Sequence, residues 1–167
     1  MTLTLVLLIF VLAFGLGAWR GAPYLPILHH PAEDLLDLAD LSPGQTLIDL
    51  GSGDGRLLRL AAQRGIRGIG YEINPLVYMA SLVVCWRYRK LVTIHTADIW
   101  HTKLPRADVI YIFILERHMG RLEHKFITEI TQPTRVISYI FRLPTSSPTH
   151  QTHNTYTYEF GSDKTSA

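Results

Sequence analysis

A chain of 167 residues has room for one hydrophobic core, and a second folded domain is not expected. The net charge of +2 and the 18% charged content give no reason to expect nucleic acid as the partner, so any basic surface must be local. The single cysteine, Cys85, excludes an intrachain disulfide and a cysteine-based metal framework; it reads as a small buried apolar residue on a helix.

The first nineteen residues carry no charged side chain, and Leu3 to Trp19 is almost continuously apolar. At about 1.5 Å per helical residue this run covers roughly 27 Å, close to the hydrocarbon thickness of a bilayer. Residues 1–20 are therefore expected to form a transmembrane anchor. No Lys or Arg precedes the run, whereas Arg20 follows it beside Trp19, which places the remainder in the cytoplasm. Two other readings stay open: a signal peptide cleaved near Gly17-Ala18, and a buried core helix. Residues 21–45 follow as a connector, too proline-rich at Pro23 and Pro26 for a helix, and a short amphipathic helix over 33–41.

Ser42-Pro43-Gly44 breaks that helix, and residues 46–50 read as a buried strand. A glycine-rich loop, Gly51 to Gly55, leads into a helix from Arg56 to Arg64 that Gly65 stops. Strands are expected over 67–72 and 91–95, with a long helix over 75–90 between them. The apolar run 108–114 is a fourth strand, followed by a helical stretch around 120–131 and a fifth strand over 135–141. This alternation demands an α/β, Rossmann-like, mostly parallel sheet with helices on both faces. Residues 156–160 alternate as an antiparallel C-terminal edge strand. The domain is assigned to 46–161 and a disordered tail to 162–167.

The loop Asp49-Leu50-Gly51-Ser52-Gly53-Asp54-Gly55 sits where open α/β sheets bind ligands, at the carboxyl edge after the first strand. A dinucleotide fingerprint would need a third glycine where Arg56 stands, and a phosphate loop would need Gly-Lys-Ser or Gly-Lys-Thr. Glu72 closes the second strand roughly 20 residues later, the place for a carboxylate accepting hydrogen bonds from ribose hydroxyls. Its other reading is a solvated strand-end acid. Asp98 follows the third strand, with a turn or cap as its alternative.

The Asp-x-Gly-x-Gly-x-Gly pattern resembles the first motif of class I, S-adenosylmethionine-dependent methyltransferases. The resemblance implies that Gly51, Gly53 and Gly55 make room for the methionine and ribose parts of the cofactor. It gives Asp49 the amino group, and Asp98 and Ile99 the adenine. Ser52 and Asn74, inside the same motifs, are counted as cofactor contacts. The apolar N-terminus, Pro23-Tyr24-Leu25-Pro26, the glycine loop and Gly70-Tyr71-Glu72-Ile73-Asn74-Pro75 together resemble a small family of anchored protein-lysine methyltransferases. Its mitochondrial members act on the c-subunit of ATP synthase and on the adenine nucleotide translocase. Beyond Phe113 the family tends to be apolar, whereas this sequence has Glu116-Arg117-His118.

The resemblance thus implies transfer of methyl groups to a lysine of a membrane-embedded or membrane-proximal protein. Other readings are a small-molecule or lipid methyltransferase and a cofactor-binding assembly protein without catalysis. Glu116 is the candidate for orienting the acceptor amine; otherwise it is a surface acid pairing Arg117 or Arg121. A resemblance to the methyltransferases of planar amides or adenine amino groups would need Asp-Pro-Pro-Tyr or Asn-Pro-Pro-Tyr near the fourth strand, and this sequence has neither there, which disfavours those acceptors. Nucleic acid is not expected as a partner, although Trp86-Arg87-Tyr88-Arg89-Lys90 could stack bases, face lipid headgroups, or simply end a helix. The eight histidines show no metal-ligand spacing, and no metal is expected.

Overall fold

The computed structural model describes residues 32–161. The expected anchor over 1–20, most of the connector and the tail over 162–167 lie outside the described residues. Among the described residues no helix is long and apolar enough to cross a membrane.

The chain begins with α1 (Ala32–Ala39), whose Leu35, Leu36 and Ala39 share one buried face. Then come β1 (Thr46–Leu50), α2 (Arg56–Gln63), β2 (Arg67–Glu72), α3 (Pro75–Val84) and β3 (Val92–Thr96). β4 (Val109–Ile112), α4 (Met119–Glu129), β5 (Thr134–Tyr139), β6 (His150–Gln151) and β7 (Thr155–Phe160) complete the domain. Seven strands form one sheet in the order β3-β2-β1-β4-β5-β7-β6. The first five are parallel to one another, and β7 runs antiparallel to both β5 and β6.

The order reverses at β1. The chain steps outward through β2 and β3, then returns across the sheet to place β4 on the other side of β1. Such a reversal marks the carboxyl ends of β1 and β4 as the place where ligands settle on open α/β sheets. The return from β3 to β4 carries no helix; its residues Ile99, Trp100 and Leu104 pack against the sheet directly.

Strand side chains alternate between the two faces. Leu47, Val109, Tyr111 and Ile137 meet α1 and α2 on one face, and Ile48, Ile110, Ile112 and Val136 meet α4 on the other. β1 and β4 are thus covered on both sides, which explains their near-continuous apolar sequence.

Three expectations are corrected. The helix expected over 75–90 ends at Val84, and residues 86–88 form a separate 3-10 turn. Cys85, which joins them, is buried as expected, with its Sγ donating to the carbonyl of Gly55 at 3.4 Å. The strand at 156–160 is not at the edge: it lies between β5 and the two-residue β6, which is too short to show an alternating pattern. The strand expected over 108–114 stops at Ile112, because Glu116–His118 already turns into α4.

Candidate active site

The glycine loop leaves β1 in a tight turn tied to the neighbouring strand. The amides of Gly51 and Ser52 both donate to the carbonyl of Tyr71 at 2.9 Å, and the amide of Gly55 donates to the carbonyl of Ser52 at 2.9 Å. Gly51 has φ +93°, a conformation strained for any residue with a Cβ, and an added Cβ there would meet nothing within 4 Å. The open side of the turn is therefore at Gly51. Gly55 differs. Its φ is +77°, and an added Cβ would stand 2.9 Å from Cys85 Sγ and 3.2 Å from Ser81 Cβ. Its missing side chain lets the start of α2 approach α3. Gly53, at φ +55°, has its amide turned to Glu72.

Glu72 ends β2 and is held from two sides. Its Oε2 accepts from the Gly53 amide at 3.0 Å and its Oε1 from the Asn74 amide at 2.8 Å. A carboxylate offers about four lone-pair positions, so each oxygen keeps one for a further donor. The side chain is buried and fixed, which excludes the solvated strand-end reading. Asn74 is the N-cap of α3: its Oδ1 accepts from the amides of Leu76 at 3.0 Å and Val77 at 3.4 Å. Pro75 at N1 strengthens the same helix start. Asn74 therefore serves the site by fixing the segment that holds Glu72.

Asp49, one strand away from Glu72, is 4% exposed and makes no hydrogen bond or ion pair with the described residues. Burial, then the charges of Glu72 and Asp54, push its carboxyl up to about 8. A carboxyl in that state gains most from a cationic partner. In the sheet register Asp49 lies level with Gly70 on β2 and Tyr111 on β4. The Ser52 side chain lies over Gly70, where a Cβ would stand 2.7 Å from its Oγ, and that hydroxyl is buried without a hydrogen-bond partner among the described residues. Asp54 is engaged by Arg56, at 2.9 Å between Oδ2 and Nη2.

Asp98 forms a turn, as its alternative reading had it: Oδ1 accepts from the Trp100 amide at 2.9 Å and Oδ2 pairs with His101 Nδ1 at 3.0 Å. It remains partly exposed after β3, on the same edge of the sheet as Glu72, with Ile99 partly buried beside it. Glu116 is exposed in the 3-10 turn after β4 and has neither of its expected partners. Arg117 Nε donates to His118 Nε2 at 3.1 Å, and the Arg121 guanidinium stands 4.4 Å from the centroid of the Trp100 ring.

The same edge contains aromatic and cation contacts that sequence reasoning did not reach. Trp100 also meets His118, at 5.6 Å between ring centroids, so Arg121, Trp100 and His118 join the loop after β3 to the start of α4. Burial, with Arg117 and Arg121, holds the His118 imidazole below its ordinary pKa and hence neutral near pH 7. Phe113 meets Tyr139 edge-on at 5.4 Å across the ends of β4 and β5. The only sequence signal for these aromatic groups was their place at or after strand ends. Among the described residues no group of His, Cys, Asp or Glu is arranged to hold a metal ion.

A strand order that reverses at β1, a glycine turn open at Gly51 and two buried carboxylates at the ends of adjacent strands are the arrangement of a class I methyltransferase domain. The fold agrees. An RNA methyltransferase from Salinibacter ruber, solved with S-adenosyl-L-homocysteine, superposes with a TM-score of 0.74 and 25% identity, covering 81% of this chain and 95% of that one. More particularly, residues 49–150 match the ANTKMT methyltransferase domain, and the chain belongs to that family. The adenine nucleotide translocase lysine N-methyltransferase of Mus musculus is 34% identical over 75% of this chain and 56% of its own length. The ATP synthase c-subunit lysine N-methyltransferase of Xenopus laevis is 30% identical over 83% of this chain and 64% of its own. The chain thus spans about three-fifths of the length of these curated relatives.

Proposed function

We propose that this domain transfers the methyl group of S-adenosylmethionine to a lysine side chain of a protein in or beside a membrane. The carrying observation is the pair of buried carboxylates: Asp49 without a cationic partner, and Glu72 with one acceptor position left on each oxygen. These fit the ammonium and the ribose hydroxyls of the cofactor, while the open side of Gly51 and the orphan Ser52 hydroxyl fit close approach of its amino-acid part. Asp98 and Ile99, after β3 on the same edge as Glu72, are assigned to the adenine. The lysine relatives named above support the choice of acceptor.

The cofactor supplies a methyl group already activated on a sulfonium. What remains for the protein is to orient a neutral amine, hold it in line and exclude water. Glu116, exposed and without an ion-pair partner among the described residues, is placed after β4 to receive the lysine ammonium and draw it toward the carboxyl edge of the sheet. Neutral His118 and the aromatic groups of Phe113, Trp100 and Tyr139 give the acceptor side low polarity, which favours loss of the lysine proton. Residues 1–20 act as a single-pass anchor with the domain on the cytoplasmic side, and the short connector confines the reaction to targets close to the bilayer.

Membranes incubated with the purified full chain and methyl-labelled S-adenosylmethionine test the reading, with Asp49→Ala as control. Label in one or a few membrane proteins, released as methyl-lysine on hydrolysis and lost in Asp49→Ala, is the expected result. Equal labelling by both proteins, or label only in lipid, RNA or small molecules, overturns it.

A further inference from the structure

α3 and the turn after it present a surface that neither the fold nor the cofactor site uses. Only Val77 and Ser81 of α3 are buried. The opposite side carries Leu76, Met79, Val83 and Trp86, which are 40%, 62%, 77% and 64% exposed. Leu76, Met79 and Val83 recur at helical spacing and form one stripe, and Trp86 follows in the 3-10 turn at its end. Leu82 flanks it at 42%. Arg87, Arg89 and Lys90, all exposed, stand at its C-terminal end, with the Arg89 guanidinium 4.8 Å from the centroid of the Trp86 ring. No acidic residue occurs from Ile73 to Ala97.

Charge decides what covers such a stripe. Residues 1–31 are apolar enough, but they contain no Asp or Glu to neutralise the three cations. A second copy docked through the same stripe would bring like charges together. An anionic lipid surface satisfies both halves of the patch, taking the apolar side chains between acyl chains, Trp86 at the interface and the cations at phosphate depth.

We propose that the α3 stripe, from Leu76 to Lys90, lies on the headgroup region of an anionic bilayer as a second membrane contact, independent of residues 1–20. α3 starts one residue beyond Asn74, so this contact sets the cofactor edge within about one short helix length, ~15 Å, of the lipid. The inference goes beyond the proposed methyl transfer and does not depend on it.

The native indole of Trp86 reports the contact. In the full chain with Trp19→Phe and Trp100→Phe, Trp86 emission is measured in vesicles of phosphatidylcholine containing brominated lipid, with and without phosphatidylglycerol. The expected result is a blue shift and at least about twofold stronger quenching in the anionic vesicles. The charge-reversed variant Arg87→Glu/Arg89→Glu/Lys90→Glu should fall to the neutral-vesicle level, with its circular dichroism unchanged. Met79→Gln/Val83→Gln, which alters only exposed positions, should also lose quenching. Equal quenching with and without phosphatidylglycerol, or quenching that survives charge reversal, overturns the proposal. So does a Trp86 already shielded in lipid-free solution, which would mean that residues 1–31 or a second copy cover the stripe. Because the readout is fluorescence, a failure of methyl transfer leaves the result interpretable.

Discussion

Asp49 was legible in the sequence as the acid before the glycines, but its protonation behaviour was not, because that depends on how deeply the fold buries it and on Glu72, which β2 brings beside it. Burial first, then the charges of Glu72 and Asp54, raises its pKa to about 8, above its ordinary value of 3.8. A group raised in this way stabilises the fold fully below its unfolded pKa and loses that contribution as pH climbs through the folded value. Ligand-free Asp49→Asn should therefore gain Tm relative to wild type between about pH 5 and 8, the gain growing with pH. Binding of S-adenosyl-L-homocysteine should favour the ionised carboxylate and release a proton. Wild-type affinity should then rise from pH 5.5 to 7.5, while Asp49→Asn binds about 10- to 100-fold more weakly with a flat profile. Calorimetry in buffers of different ionisation heat reads the proton directly; proton uptake, or a rising profile in the variant, would refute this account. Gly55 shows the opposite limit of sequence reading. Its motif position suggested a ligand; what crowds it is Cys85, thirty residues on, and no local pattern carries that.

The strands other than β6, the first two helices and the β1 loop were recognisable because each has a local cause: apolar runs, helix formers, and glycine or proline at the breaks. Residues 75–90 misled for a physical reason. Their apolar sequence carries no internal stop signal, and the helix ends where Cys85 must turn inward to meet Gly55. α4 shows a tie invisible in sequence. Glu123, 3% exposed, accepts from the amides of Thr145 and Ser146, holding the loop after β5 against the helix. Burial opposes its charge, but the hydrogen bonds from Ser146 and Thr145 prevail and keep its pKa below the ordinary 4.5. A depressed carboxyl contributes stability above its unfolded pKa and loses it as pH falls through the folded one. Glu123→Gln should cost about 1–2 kcal/mol at pH 7 by denaturant titration, with the difference shrinking below about pH 4.5. Hydrogen exchange at Thr145 and Ser146 should quicken; unchanged protection there would show that the loop is held by other contacts.

For the molecule as a whole, α1 matters more than its eight residues suggest. Leu35 and Leu36 close one face of the sheet over Leu47, Tyr111 and Ile137, and Arg135 Nη1 donates to the Ala39 carbonyl at 2.8 Å. Leu36 is 2% exposed, so Leu36→Ala should cost about 2–5 kcal/mol in denaturant unfolding. A loss under about 1 kcal/mol would make α1 a peripheral addition to the domain. The sequence by itself determined the alternation of elements, the parallel sheet, the glycine turn and the acids Asp49 and Glu72. Each of these is written in residues close together in the chain, where steric and hydrophobic patterns act locally. Only the tertiary structure decided that β7 lies inside the sheet, that Gly55 serves packing, that Glu116 stands unpaired among the described residues, and that the α3 stripe faces outward. Those outcomes depend on which distant side chains arrive to cover a group, and burial and charge are settled only when they do.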